Sequence, residues 1–137
     1  MTLPKIKTAL LIDDDPVTNF INDNLLNKLG IVEEIKVVRN GVEGIRCLQE
    51  QCLKSKIAPE LILLDINMPV MDGFEFLQVF NTLDFKNKNN VIIGALTTST
   101  HPVDKEKMKE LGVEYFINKP LTSEKINDLL DKIKRAA

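Results

Sequence analysis

The chain has 137 residues, of which 44% are hydrophobic and 28% charged, so it is long enough for one domain with a substantial core. A net charge of -2 argues against the basic surface that nucleic-acid-binding domains present to phosphates. The apolar run near the N-terminus is too short for a signal peptide or a membrane span. We therefore expect a cytoplasmic protein with no nucleic-acid or membrane partner.

In the first half of the chain, short apolar runs alternate with helical patterns. Residues 8–12 form a continuous apolar run, which is typical of a strand buried on both faces. In the pattern that follows, Pro16 suits the first turn of a helix and Gly30 suits its end. Further apolar runs predict strands at residues 35–38 and 61–64. The apolar stripes that predict the first two helices are Val17, Phe20, Ile21, Leu25 and Leu29, and then Val42, Ile45, Leu48 and Cys52.

The second half continues this alternation. Residues 91–96 and 115–117 predict two more strands, and Thr122 or Ser123 suits the N-cap of the last helix. The helical stripes here are Phe74, Leu77 and Phe80; Val103, Met108 and Leu111; and Ile126, Leu129, Leu130 and Ile133. Five strands alternating with five helices predict an α/β fold with a doubly wound, mostly parallel sheet covered on both faces.

The two cysteines, Cys47 and Cys52, lie five residues apart in a helical pattern. At that spacing their side chains project from different faces of a helix. We therefore expect reduced thiols rather than a disulfide or a metal site.

Polar side chains follow four of the five predicted strands. Parallel sheets of this kind bind ligands beyond the carboxyl ends of their strands, so these side chains are expected to meet at one edge. Taken singly, each is more often a helix cap, a turn residue or a solvated charge. The residues in question are Asp13, Asp14 and Asp15 after the first strand, Asp65 after the third, Thr97 and Thr98 after the fourth, and Asn118 and Lys119 after the fifth.

The combination of these groups is suited to phosphoryl transfer. Clustered carboxylates repel one another unless they protonate or bind a cation, and an oxygen-only cluster suits Mg²⁺, with Mn²⁺ as an alternative. A carboxylate beside such a cation can attack phosphorus, which assigns that role to Asp65. The Lys119 ammonium and the Thr97 hydroxyl can then bind oxygens of the transferring group.

Four segments resemble the receiver domain of two-component response regulators, over about residues 6 to 135. They are LLIDDDP at residues 10–16, LILLDINMPVMDG at 61–73, ALTTST at 95–100 and FINKP at 116–120. The resemblance implies a flavodoxin-like fold with strand order 2-1-3-4-5. It also leads us to expect a single receiver domain over residues 1–137, with no output domain.

The resemblance implies a role for each matching residue. Asp65 is the expected phosphoacceptor, and Thr97 and Lys119 are the expected catalytic partners. The expected metal ligands are Asp13, Asp14, Asp65 and Asn67, the last through its backbone carbonyl. Thr97 and Phe116 are the expected switch residues, and Pro120 the expected cis proline. The residue after Thr97 is usually Ala or Gly in the family, so Thr98 is expected to slow reaction with small phosphodonors or slow hydrolysis.

The function implied is that of a signalling module. A histidine kinase or histidine phosphotransfer protein is the expected phosphodonor. Phosphorylation is expected to shift a surface formed by helix 4, strand 5 and helix 5 and so control an unknown downstream protein. The lysines at 105, 107 and 109 are one candidate contact face. The chain is expected to be a monomer or a phosphorylation-induced dimer.

Other functions compete with this one. A phosphate relay or sink has the same sequence features. A pseudo-receiver that is never phosphorylated has the same fold but usually lacks part of the site, which is complete here. An aspartyl-phosphate phosphatase of the haloacid dehalogenase type needs an acid two residues after its nucleophile, where this chain has Asn67. We therefore do not expect a turnover enzyme.

Overall fold

The computed structural model describes residues 6–50, 59–68, 70–84, 88–98 and 102–136, but not the side chains at 89, 102, 103 and 133–136. The strands are β1 (Ile6–Ile12), β2 (Val32–Val38), β3 (Leu61–Asp65), β4 (Ile92–Thr97) and β5 (Tyr115–Asn118). The helices are α1 (Pro16–Leu29), α2 (Gly41–Leu48), α3 (Gly73–Phe80), α4 (Pro102–Glu110) and α5 (Ser123–Ala136). A short 3₁₀ turn at Lys88–Asn90 precedes β4.

The five strands form one sheet in the order β2-β1-β3-β4-β5, and each neighbouring pair is parallel. The predicted fold class and strand order are therefore confirmed. In this register Asp65 lies beside Leu96, and Thr97 lies beside Asn118. The carboxyl ends of β3, β4 and β5 thus finish nearly level, and this brings the polar residues that follow them to one edge.

The sheet is covered on both faces by apolar cores. On one face Leu10 and Ile12 pack with residues of α2, α3 and α4, and on the other Ala9 and Leu11 pack with residues of α1 and α5. Successive residues of β1 alternate between the two cores, which explains why its sequence is continuously apolar.

Helix α1 forms as predicted, but only the end of its predicted apolar stripe, Leu25 and Leu29, packs against the core. Val17, Phe20 and Ile21 are 62%, 66% and 54% exposed. The residues that α1 buries are Asn19, Asn22 and Leu26. At the start of the helix, the Asn19 side chain donates a hydrogen bond to the backbone of the loop that follows β1. This contact gives one of the inward-facing polar side chains a partner.

Helix α3 begins very close to the end of β3. Asp72 is the N-cap, and its carboxylate and that of Glu75 form a reciprocal capping box. A Cβ atom at Gly73 would lie 2.8 Å from the Ile66 Cα and 3.1 Å from the Asp65 carbonyl oxygen. Only glycine fits this approach, so the loop that follows Asp65 is held against a rigid helix end.

Some sequence predictions fall outside the described residues. They concern Cys52, residues 69, 99 and 100 of the motifs, and the side chains of Val103 and Ile133. Cys47 is half-buried, and burial raises the pKa of its thiol. Within the described ranges, no helix has the length and apolar character needed to cross a membrane.

Candidate functional site

Three carboxylates meet at the carboxyl ends of β1 and β3. Asp13, Asp14 and Asp65 each offer an oxygen within 4.8 Å of the others. Asp13 and Asp65 are buried, whereas Asp14 is exposed. A cluster of hard oxygen donors with one side open to solvent has the chemistry that Mg²⁺ requires, since this ion binds through one or two carboxylates and keeps several waters.

The Lys119 side chain reaches into the cluster from the end of β5. Its Nζ lies 3.0 Å from Asp13 Oδ2 and 3.1 Å from Asp65 Oδ1. Burial of the ammonium opposes its charge, but the two carboxylates outweigh this effect and raise the Lys119 pKa. Lys119 therefore stays protonated and offsets part of the repulsion between the acids.

The pKa of Asp65 is strongly perturbed. Burial, together with the nearby Asp13 carboxylate, raises its pKa to about 6, against the opposing effects of Lys119 and the Asn67 backbone N–H. That N–H donates to Asp65 Oδ1 across 3.3 Å. Asp65 is thus a buried carboxylate that ionises near neutral pH, a property common among groups in reactive sites.

Asp15 follows Asp13 and Asp14 in the sequence but has a different structural role. Its carboxylate accepts hydrogen bonds from the Thr18 hydroxyl at 2.7 Å and the Val17 N–H at 3.0 Å, and so caps α1. These two hydrogen bonds, the Thr18 bond first, lower the Asp15 pKa. Asp15 also donates its N–H to Asp13 Oδ1 at 2.9 Å. It supports Asp13 and is not part of the acid cluster.

The remaining predicted residues lie at or near the carboxyl ends of β3, β4 and β5. Thr97 is buried at the end of β4, and its carbonyl oxygen accepts the Lys119 N–H at 3.0 Å. Thr98 and Asn67 are exposed. Phe116 is half-buried, pairs with Ala95 in the sheet and packs against the core on the α3 side.

The loop that carries Lys119 has a fixed backbone. The Lys119–Pro120 peptide bond is cis. The Lys125 ammonium donates to the Asn118 and Pro120 carbonyl oxygens, at 2.7 and 2.9 Å. Lys119 therefore projects from a segment that is tied to α5.

One residue near the site was not singled out from the sequence. The Asn19 side chain donates to the Asp13 carbonyl oxygen at 2.8 Å, and both groups are buried. The only sequence signal was an asparagine close behind the acids within a helical pattern, and asparagine is usually a surface residue.

Comparison with known proteins points to one family. A family model described as the response regulator receiver domain matches residues 9–131. Two-component response regulator 24 of Arabidopsis thaliana is 33% identical over 126 residues, which are 92% of this chain and 83% of the relative. Several other curated relatives are longer proteins, of which this chain spans about half or less.

Solved structures agree with the sequence comparison. A two-component response regulator from Cytophaga hutchinsonii is 36% identical, with a TM-score of 0.84 over 96% of this chain and 98% of that one. The receiver domain of a Pseudomonas aeruginosa sensor histidine kinase is 25% identical, with a TM-score of 0.75 over 93% and 98% of the two chains. That structure has a magnesium ion coordinated in its active-site cleft.

The raised Asp65 pKa predicts how Asp65→Asn changes stability with pH. In the folded protein the carboxyl holds its proton up to about pH 6, whereas its ordinary pKa is 3.8. Wild-type stability should therefore fall as pH rises between these values, because the folded state must ionise a buried acid. The variant lacks this loss and should be more stable by about 1–2 kcal/mol at neutral pH, and by less at pH 4.

Urea unfolding with a metal chelator, repeated across this pH range, measures the difference. Asp14→Asn is the matched control, because it removes an exposed acid of the same cluster and should change stability less. A constant difference between wild type and Asp65→Asn at every pH would contradict the prediction.

Proposed function

The chain belongs to the response regulator receiver domain family, and we propose that it acts by accepting a phosphoryl group on Asp65 from phosphohistidine of a histidine kinase or a histidine phosphotransfer protein. Receiver domains are signalling domains of two-component systems, not turnover enzymes. The observation that best supports the proposal is the contact of Lys119 with both Asp13 and Asp65, at 3.0 and 3.1 Å. It gathers acceptor, cation-binding acids and a positive charge in one site.

The geometry suits Asp65 as the nucleophile. Its described contacts with Lys119 and with the Asn67 N–H both go to Oδ1, so Oδ2 is the oxygen proposed to attack. With a pKa of about 6, the carboxyl is mostly ionised at neutral pH. In the transfer, a bond forms between Oδ2 and phosphorus as the bond from phosphorus to the histidine nitrogen breaks, and the imidazole leaves.

Receiver domains bind Mg²⁺ at an acidic pocket, and the residues present here fit that ion. Asp13, Asp14 and Asp65 would hold it, with the Asn67 carbonyl as the further proposed ligand. Bound Mg²⁺ would neutralise clustered negative charge and bind an oxygen of the transferring group. Lys119 and the Thr97 hydroxyl are proposed to bind the other oxygens.

We assign the response to phosphorylation to Thr97 and Phe116. Thr97 pairs with Asn118 across the sheet, and Phe116 lies two residues earlier on that same strand. A recess of about 200 Å³ lies between β5 and α5, lined in part by Tyr115, Phe116, Asn118, Lys125, Asp128 and Lys132. A change at Thr97 that moves Phe116 would alter this recess, so we place the contact with a downstream protein there.

The lysines of α4 are a weaker candidate for that contact. The Lys107 ammonium lies 4.4 Å from the centroid of the Phe74 ring, so it is already engaged with α3. Lys105 is half-buried, and only Lys109 of the three is exposed without such a ring contact among the described residues. The single-domain organisation, cytoplasmic location and oligomeric state stay predictions.

The exposed apolar side chains of α1 provide a place for the phosphodonor. Val17, Phe20 and Ile21 are spaced at i, i+3 and i+4, so they share one face of the helix. The helix starts directly after the acids, with Asp15 as its N-cap. A protein that covers this face lies beside the site, and a phosphohistidine must come within bonding distance of Asp65. We therefore assign this face to the donor.

The core of the proposal predicts labelling of a single residue. Acetyl phosphate with Mg²⁺ should add one phosphoryl group to the wild type, measured as intact mass, and none to Asp65→Asn. Asp15→Asn should still be labelled, because Asp15 is a helix cap outside the acid cluster. Equal labelling of wild type and Asp65→Asn would refute the proposal, and labelling that survives a metal chelator would refute its cation requirement.

We expect Thr98 to lengthen the lifetime of the phosphorylated state. Its exposed β-branched side chain follows Thr97 directly and is expected to restrict the approach of water to phosphorus. Thr98→Ala should lose its phosphoryl group severalfold faster, followed by intact mass after the donor is removed. Thr82→Ala, the same change at an exposed position just after α3 and away from the acid cluster, is the control. Unchanged decay in Thr98→Ala would contradict the prediction.

Substitutions on the exposed face of α1 should affect transfer from a protein donor but not from a small one. Phe20→Ala should slow transfer from a phosphorylated histidine phosphotransfer protein that labels the wild type, by about tenfold at low concentration. Labelling by acetyl phosphate should not change, because this small donor needs no protein contact. Val37→Ala, which truncates an exposed apolar residue on β2, is the matched control. Equal rates from the protein donor for wild type and Phe20→Ala would exclude this face as the docking site.

A further inference from the structure

Helix α1 buries two asparagines, which is costly unless the amide has a partner. Asn19 and Asn22 are only 5% and 4% exposed. An amide removed from water without compensating hydrogen bonds destabilises a fold, so buried amides normally have a specific contact. For Asn19 that contact is the bond from its Nδ2 to the Asp13 carbonyl oxygen, at 2.8 Å.

The oxygen of the Asn19 amide shows that the bond to Asp13 sets the orientation of the amide group. Its Oδ1 is buried and accepts no hydrogen bond from the described residues. Rotating the amide by half a turn would place Oδ1 against the Asp13 carbonyl oxygen, and two acceptors would then face each other. The side chain is therefore held by its donor, while its acceptor has no hydrogen-bond partner in the part of the chain that the structure describes.

The Asp13 carbonyl, which accepts the Asn19 bond, lies between the two acids. It belongs to the peptide unit that joins Asp13 to Asp14, so fixing it also fixes where the Asp14 backbone begins. Every other described contact of Asp13 involves a different atom. Its N–H donates to the Val38 carbonyl at 3.2 Å, and its carboxylate accepts from the Asp15 N–H and from Lys119.

The anchor at the other end is rigid. Asn19 lies in the first turns of α1, and its own N–H donates to the Asp15 carbonyl at 3.0 Å. Asp15 in turn caps the helix through Val17 and Thr18. The hydrogen bond from Asn19 thus ties the loop that carries Asp13 and Asp14 to the capped first turns of α1.

We propose that Asn19 is a positioning residue that fixes the Asp13–Asp14 peptide and so holds both acids in the arrangement that binds a divalent cation. The inference rests on the proposed function, because it concerns the same cation site. Asn19 itself does not touch the cation. Outer groups that orient metal ligands typically change metal affinity by about 10- to 100-fold when removed.

The test compares two leucine variants in a Mg²⁺ titration. Asn19→Leu keeps a similar side-chain size but cannot donate to the Asp13 carbonyl. Asn22→Leu is the matched control, because Asn22 is equally buried one turn further along α1 and no described hydrogen bond joins it to Asp13. MgCl₂ affinity is measured by isothermal titration calorimetry, and thermal unfolding with a metal chelator measures the stability of each variant.

We expect the Mg²⁺ affinity of Asn19→Leu to be lower than that of wild type by about tenfold or more. The affinity of Asn22→Leu should equal that of wild type. The two unfolding midpoints should be similar, which separates positioning from a general packing role. If either leucine variant does not fold, Asn19→Ala and Asn22→Ala are compared by the same criteria.

Two results overturn the inference alone: wild-type affinity in Asn19→Leu, or equal losses in both variants. Absence of Mg²⁺ binding by the wild type overturns the inference together with the cation site of the proposed function. Labelling of Asp65 by acetyl phosphate, measured separately on the wild type, then shows whether phosphoryl acceptance fails as well.

Discussion

The ammonium of Lys119 between Asp13 and Asp65 is the interaction on which the site depends. Two buried carboxylates at this distance repel each other, and burial adds its own cost for each charge. One cation within 3.0 and 3.1 Å of both reduces that cost, yet Asp65 still has a pKa of about 6. The folded protein thus keeps a partly unbalanced negative charge in place, and this imbalance favours the further cation proposed to bind there.

The sheet topology makes this contact possible. Lys119 follows β5, whereas Asp13 follows β1 and Asp65 ends β3, so the lysine must reach past the end of β4. The bond from its N–H to the Thr97 carbonyl fixes the point from which the side chain starts. Lys119, at the end of one strand, therefore contacts residues at the ends of three others.

Much of this arrangement could be predicted from the sequence, because the strands are continuous apolar runs and the reactive residues follow them directly. The pairing of strands was implied by the family resemblance and not by the local pattern. The inner face of α1 could not be predicted from periodicity. The Asp15 cap and the Asn19 bond are polar contacts of α1 with the loop after β1, and a stripe such as Val17, Phe20 and Ile21 does not reveal them.

Helix α1 has an inner face with buried amides and an outer face with exposed apolar side chains. Support of the acids and contact with other proteins can therefore fall to different faces of one helix. Substitutions on the outer face disturb neither the core nor the acids, because Val17, Phe20 and Ile21 are largely exposed. Donor recognition at this face, as proposed above, could then diverge from one duplicated copy to the next while the chemistry stays the same. A cell with many such domains can keep parallel signalling routes separate by altering only a few exposed side chains.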